Sequence, residues 1–315
     1  MKVSSFIYYY GLRPRLMLLG LLVAARLGFA QEAVLQHAAL HVGFTRSSFR
    51  NVNASDATAA FRVFAQTVAR KRGYQLDTDT RLFESPADCE AEIHKGGINL
   101  AILDAWDYLG MGIQQTMEPV FVHLEQGSVF KTYLLLTRGA GGLTALADLR
   151  GKDIMVLEGQ GGNLSRAWLD WLLLAKNLGS QHAYFGNLEA VAKPAAAVLP
   201  VFFGANPACQ VDHNSFQIMS ELNPQVGSNL VITAESEPYL ESITCISRSG
   251  WPSERTRQDL IKTISEFHLE PTGRQILELF KVDRLVPFKE EYLDSARELQ
   301  HHLAALPGGL TRIDP

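Results

Sequence analysis

The chain has 315 residues, 47% of them apolar and 20% charged, enough to bury one large hydrophobic core or two smaller ones, and collagen-like, low-complexity and disordered classes are excluded. Its 29 Lys and Arg stand against 33 Asp and Glu, a formal charge of −4, with no basic stripe interleaved with aromatics. That balance argues against a nucleic-acid partner and leaves recognition of small molecules or proteins.

The first 30 residues read as a secretory leader. Lys2, Arg13 and Arg15 precede the apolar run Leu16 to Ala25, and Gly28 and Ala30 supply the small residues of a cleavage site ahead of Gln31 and Glu32. An uncleaved anchor is the alternative reading, but the run is interrupted at Arg26 and is about half the roughly 20 apolar residues that span a bilayer. Cleavage near Ala30 removes Lys2, Arg13, Arg15 and Arg26 and no acid, leaving 25 bases against 33 acids, a charge of −8. An exported protein this acidic does not attract anions by bulk charge. An anion site has to be built locally from backbone N–H groups and a few side chains.

After the leader, His41 to Phe44 reads as a short strand, and Ala57, Phe61, Phe64 and Val68 mark the apolar face of a helix capped at Ser55 or Asp56 and stopped at Gly73. A second helix opens at Ser85 and Pro86 and ends at Gly96 and Gly97. Ile98 to Leu103 is apolar apart from Asn99, the pattern of a strand buried on both faces. Asp104, Trp106, Asp107 and Tyr108 follow it, where ligands of open α/β sheets bind; helix capping by the aspartates with core packing of the aromatics is the equal alternative. Strand-like runs recur at Pro119 to Leu124, Lys131 to Thr137, Asp153 to Leu157, Cys209 to Asp212 and Leu230 to Thr233. Helices are expected from about Leu164 to Leu178, around Pro194 to Gly204, and after Ser253 and Glu290. The alternation indicates α/β layers.

Between the strand at Leu157 and the next helix lies the loop Glu158 to Asn163, EGQGGN. Its glycines let consecutive N–H groups converge, and Asn163 and Ser165 add polar groups at a helix N-terminus, where the dipole favours an anion. A plain tight turn capped by Asn163 is the alternative. The loop is neither a Walker A motif nor a dinucleotide fingerprint. No nucleophile elbow, HExxH helix or CxxC pair occurs, so catalysis is weakly supported, and no cofactor or metal is implied. Cys89, Cys209 and Cys245 allow at most one disulfide, either Cys209 with Cys245 or none, with all three thiols buried.

The stretch AAVLPVFFGANPACQVDHNSFQIMSELNPQ at residues 196–225, with TALADLRGKDIMVLEG before it and VITAESEPYL after it, resembles the phosphate/phosphonate-type, PhnD-like periplasmic substrate-binding proteins of ABC transporters. HVGFTRSSF and GGINLAILDAWDYL fit the first lobe of the same family, and the likeness covers nearly all of residues 38–300. The resemblance implies an α/β, type II periplasmic-binding fold: two lobes joined by two crossing segments and closing on a ligand. Lobe 1 is expected at residues 33–128 and 237–315 and lobe 2 at 129–236, with crossings near Gly127 to Tyr133 and Ala234 to Tyr239.

Carried over position by position, the family's cleft contacts fall on Thr45, on Asp104 and Trp106, and on Lys131, Thr132 and Tyr133 at the crossing. In lobe 2 they fall on Gln160, Gly161, Gly162, Asn163 and Ser165, on Lys193, and on His213 and Asn214. The lobe-2 loop has fewer hydroxyls than the family pattern, Lys193 stands near the family's histidine, and Asn206 and Pro207 replace an expected acid. Lys193 is either an oxyanion ligand or a solvated residue at a helix start. The implied function is capture of a small phosphonate, phosphate or phosphite-type oxyanion by an exported, monomeric, non-enzymatic protein that delivers it to an ABC-transporter permease. A sensor read by a membrane receptor kinase, and an exported enzyme using Asp104, His213 or Lys193, are the alternatives.

Overall fold

The computed structural model describes residues 35–48, 54–143, 145–158 and 162–305. The expected leader, together with Gln160 and Gly161, lies outside them. The chain opens with β1 (Gln36–Thr45), α1 (Ala54–Lys71), β2 (Tyr74–Phe83), α2 (Pro86–His94), β3 (Leu100–Asp104), α3 (Ala105–Gly110) and β4 (Met117–Leu124). Ser85 caps α2, its hydroxyl accepting the Asp88 N–H at 3.2 Å, and Pro86 occupies the first turn, where a missing N–H costs nothing. Gly96 leaves the helix at φ +73°, a conformation that glycine adopts without strain. At the end of β3 the Asp104 carboxylate accepts the Trp106 N–H at 2.7 Å and starts α3.

The middle of the chain supplies β5 (Phe130–Lys131), β6 (Tyr133–Arg138), β7 (Ile154–Leu157), α4 (Gly162–Leu174), α5 (Gln181–Tyr184), β8 (Leu188–Val191), α6 (Pro194–Phe202), β9 (Ala208–Asp212), α7 (His213–Leu222), α8 (Pro224–Asn229) and β10 (Leu230–Glu235). It then returns through β11 (Tyr239–Leu240), β12 (Ser242–Ser247), α9 (Glu254–Ser265), α10 (Pro271–Leu279), β13 (Arg284–Pro287) and α11 (Asp294–Ala305).

These strands form two sheets and a ribbon. The six-stranded sheet has the order β13-β4-β12-β3-β1-β2, with β2, β1 and β3 parallel and β12 antiparallel between β3 and β4. The five-stranded sheet has the order β10-β6-β9-β7-β8, with β9, β7 and β8 parallel and β6 antiparallel to both neighbours. Between them β5 pairs with β11, Lys131 opposite Tyr239 and Phe130 opposite Leu240, so the chain crosses twice at one place. This is the type II periplasmic-binding fold that the sequence resemblance implies.

One apolar cluster runs from one half to the other. Trp106 of α3, Leu164, Trp168 and Leu169 of α4, Tyr133 and Tyr239 at the crossing, and Ala296, Leu299 and Leu303 of α11 are all buried in it. The Tyr133 ring stacks on Trp168 and on Tyr239, both with centroids 6.4 Å away. Thus α11, which follows a strand of the six-stranded sheet, packs its apolar face on α4 of the other half.

Two differences from the sequence reading have plain causes. Strand β2 has no counterpart in it because Gln75, Asp77, Asp79 and Arg81 dilute its apolar character, as an edge strand with a single neighbour tolerates. Of the two alternatives left open for the cysteines, the pairing of Cys209 with Cys245 is overturned and the buried free thiols stand: all three cysteines are free and buried, Cys209 in β9 of one sheet and Cys245 in β12 of the other. Burial, then the charge of Asp107, pushes the Cys89 thiol up to about 12. The central position of Trp168 leads to a quantitative expectation. Trp168→Ala costs about 3–5 kcal/mol of unfolding free energy in urea titrations, whereas a loss below about 1 kcal/mol would show that the cluster does not carry the packing assigned to it.

Candidate functional site

A cleft of about 1050 Å³ lies between the two halves. Its second-half wall is made by Ser165 in the first turn of α4, Lys193 to Ala195 at the start of α6, and Asp212, Asn214 and Ser215 at the start of α7. Three helix N-termini therefore open on one wall, each carrying the positive end of its dipole and first-turn N–H groups without intrahelical acceptors. They are not equivalent. The Asp212 carboxylate already caps α7, accepting the Ser215 N–H at 2.8 Å and its hydroxyl at 2.6 Å. By contrast, Lys193 precedes α6 with no side-chain cap, and its exposed ammonium takes part in no ion pair among the described residues.

The floor is built at the crossing. The Lys131 ammonium lies 2.6 Å from Glu241 Oε2 and 3.1 Å from Glu125 Oε2. Burial favours the neutral amine, but Glu241, Glu125 and Asp212 outweigh it and hold Lys131 charged, above its ordinary range. Glu241 is 6% exposed. Burial pushes its carboxyl up to about 7 against the pull of Lys131, and its Oε1 has no hydrogen-bond partner. The Tyr133 hydroxyl, also without a partner, is raised by burial and then by Glu241. His123 borders a small hollow with Lys131 and Glu241; burial, then the charge of Lys131, lowers it to about 4. Across the lining five carboxylates, Glu125, Asp212, Glu241, Glu278 and Asp283, face three lysines, Lys131, Lys193 and Lys281.

The residues expected from the sequence fall into three groups. Lys131, Tyr133, Ser165, Lys193 and Asn214 line the cleft together. A second group meets beside it. Thr45 is buried with its hydroxyl 2.8 Å from Ser47 Oγ and 2.9 Å from Ser48 Oγ; Ser47 donates to Asp107 Oδ2, and Asn163 Nδ2 donates to Asp107 Oδ1 at 2.9 Å. Asp104 adjoins this group as the cap of α3, its Oδ2 unpartnered and its carboxyl held well above the usual range by burial and by Asp107; Trp106 lies in the apolar cluster. The third group borders the crossing: the Thr132 carbonyl accepts the His213 N–H at 2.8 Å, and exposed His213 Nδ1 stands 3.8 Å from Glu235. Gly162 begins α4.

Glu125 and Glu241, which neutralise Lys131, escaped the sequence reading because neither sits in a recognisable motif. Asp212 had a findable signal, an Asp three residues before Ser215 at the end of a strand, the spacing of an N-cap.

The profile of the family described as "ABC transporter, phosphonate, periplasmic substrate-binding protein" matches residues 49–293. The chain belongs to that family. Its members are periplasmic substrate-binding components that serve an ABC-transporter permease. No curated protein matches the chain in sequence. Among solved structures it is similar to XAC2383 from Xanthomonas citri bound to ATP, with TM-score 0.62, 12% identity, and 86% of this chain and 99% of that one covered. PA3383 from Pseudomonas aeruginosa, a binding-protein component of an ABC phosphonate transporter, gives TM-score 0.57 at 12% identity over 84% of this chain and 88% of its own. PhnD1 from Prochlorococcus marinus in complex with methylphosphonate gives TM-score 0.55 at 13% identity over 85% of this chain and 99% of its own. At such identities the likeness is one of fold. Among the described residues no helix is long and apolar enough to cross a membrane, and no group of three or more His, Cys, Asp or Glu is placed to hold a metal ion.

The floor carries opposed pH dependences. Glu241 has a folded pKa above its ordinary value, so its contribution to stability is complete below about 4.5 and is lost as pH rises through about 7. His123 has a folded pKa below its ordinary value, so its contribution is complete above about 6.5 and is lost as pH falls through about 4. Urea unfolding between pH 4.5 and 7.5 should therefore show stability rising more steeply with pH in Glu241→Gln than in the wild type, and less steeply in His123→Gln. Parallel profiles in all three proteins would contradict this assignment.

Proposed function

We propose that the chain is an exported solute-binding protein that captures a small oxyanion of the phosphonate, phosphate or phosphite type in the interlobe cleft and delivers it to an ABC-transporter permease. The family match supports the transport role. The observation that carries the ligand class is Lys193, a cation without an ion-pair partner among the described residues at the uncapped start of α6, on a wall where α4 also presents its N-terminus. A lysine with first-turn amides holds an oxyanion as a point charge plus dipoles. Lys131 is already balanced by two carboxylates, so it supports the floor and adds no net attraction for an anion. Local construction of the site is what a mature chain of charge −8 requires.

The reading takes residues 33–128 with 237–315 as lobe 1, 129–236 as lobe 2, and α11 as a tie from the first to the second. It also takes the chain as a monomer cleaved near Ala30, with no chemistry done on the ligand.

Isothermal titration of residues 31–315 with methylphosphonate, phosphite and inorganic phosphate, and with sulfate as the control, tests it. At least one phosphorus oxyanion should bind, and Lys193→Ala should weaken it by about 10- to 100-fold, the worth of a charge-assisted hydrogen bond. Failure of all three to bind, or affinity unchanged in Lys193→Ala, would overturn the reading.

A further inference from the structure

The contact beside the cleft joins the two halves through a single carboxylate. Asp107, on α3 of the first half, is 5% exposed. One of its oxygens receives the Ser47 hydroxyl from the turn after β1, and the other receives the Asn163 amide, 2.9 Å away, from the first turn of α4 in the second half. Behind Ser47 the Thr45 hydroxyl continues the chain of hydrogen bonds. An amide donor in the first turn of a 13-residue helix, joined by a hydroxyl from the turn after β1, suits an oxyanion, and here the oxyanion is one of the protein's own side chains.

The placement is fixed from behind. Asp107 follows Trp106 on the short helix α3, and Trp106 and Leu109 pack in the cluster shared with α4. Asp104, three residues earlier, is buried with one oxygen unpartnered. Burial and then Asp107 raise its pKa, which disfavours a second charge beside Asp107.

We propose that Asp107 acts as a tethered anion: its carboxylate occupies the interlobe donor set of Ser47 and Asn163, latches the two halves together there, and leaves the Lys193 wall as the place for an incoming ligand. Its last part rests on the oxyanion reading of the cleft; the latch itself does not. An exogenous anion competes poorly for donors already held by a carboxylate on the same chain, which acts at a high effective concentration.

The test is removal and chemical rescue, followed by small-angle scattering on residues 31–315 without added ligand. Asp107→Ala should raise the radius of gyration by releasing the latch, and formate or acetate should return it toward the wild-type value by refilling the vacated donors. Asn163→Ala, which removes a donor and leaves the anion, should also expand the protein and should not respond to either acid. It serves as the second arm should Asp107→Ala fail to fold. Radii of gyration unchanged in both variants, or an Asp107→Ala expansion that neither acid reverses, would overturn the proposal. Lys193→Ala should leave the radius of gyration unchanged, so loss of ligand binding in that variant bears on the oxyanion reading and not on the latch.

Discussion

The position of every group in the cleft depends on the apolar cluster that binds α3, α4 and α11 beside the crossing ribbon. Two sheets joined by two short strands are ordinarily free to hinge, because the ribbon alone makes few contacts. Here Trp168 is packed against Tyr133 on one side and lies in one cluster with residues of α11 and Trp106 on the other, so the two sheets share a core along one edge. The cleft borders this shared core, since Tyr133 belongs to the cluster and also lines the cleft with Lys131 and Lys193.

Charge in the cleft follows a division of labour. Three carboxylates and a lysine at the crossing neutralise one another as far as their number allows, and burial raises the most enclosed of them, Glu241, toward neutrality. Removing one partner of such a set leaves an uncompensated buried charge, which is why a buried ion cluster gives better evidence of positioning than of stability. In the proposed function, recognition of a ligand falls to the Lys193 ammonium, which is in no ion pair among the described residues, and to the uncapped turn of α6. The other anion-suited donors, Ser47 and Asn163, are matched by Asp107.

Local signals in the sequence carried much of this architecture. Ser85 with Pro86 marked the start of α2, Gly73 the end of α1, and the apolar run before Asp104 a buried strand, because each depends on neighbours a few residues away. Strand β2 was illegible, since an edge strand with alternating Asp, Thr and Arg has the composition of a loop. The family resemblance led to Lys193, Ser165 and Asn214, which do meet in one cleft. Partners distant in sequence left no trace. Lys131 and Glu241 are 110 positions apart, Asp107 and Asn163 are 56 apart, and only the crossing of the chain brings them together. Hence the sequence offered Lys131 as a cleft contact and Asp107 as either a ligand contact or a helix cap, with no sign of the partners that hold them.

The central claim is that the two kinds of anion-suited donor have different occupants, a ligand on the Lys193 wall and the protein's own Asp107 between Ser47 and Asn163. A crystal structure of residues 31–315 grown with methylphosphonate addresses it most directly. The account predicts phosphonate oxygens at hydrogen-bonding distance, about 3 Å, from Lys193 Nζ and the Ala195 N–H, with the Asp107 to Asn163 bond intact. Phosphonate density between Ser47 and Asn163, with the Asp107 side chain displaced, would contradict it.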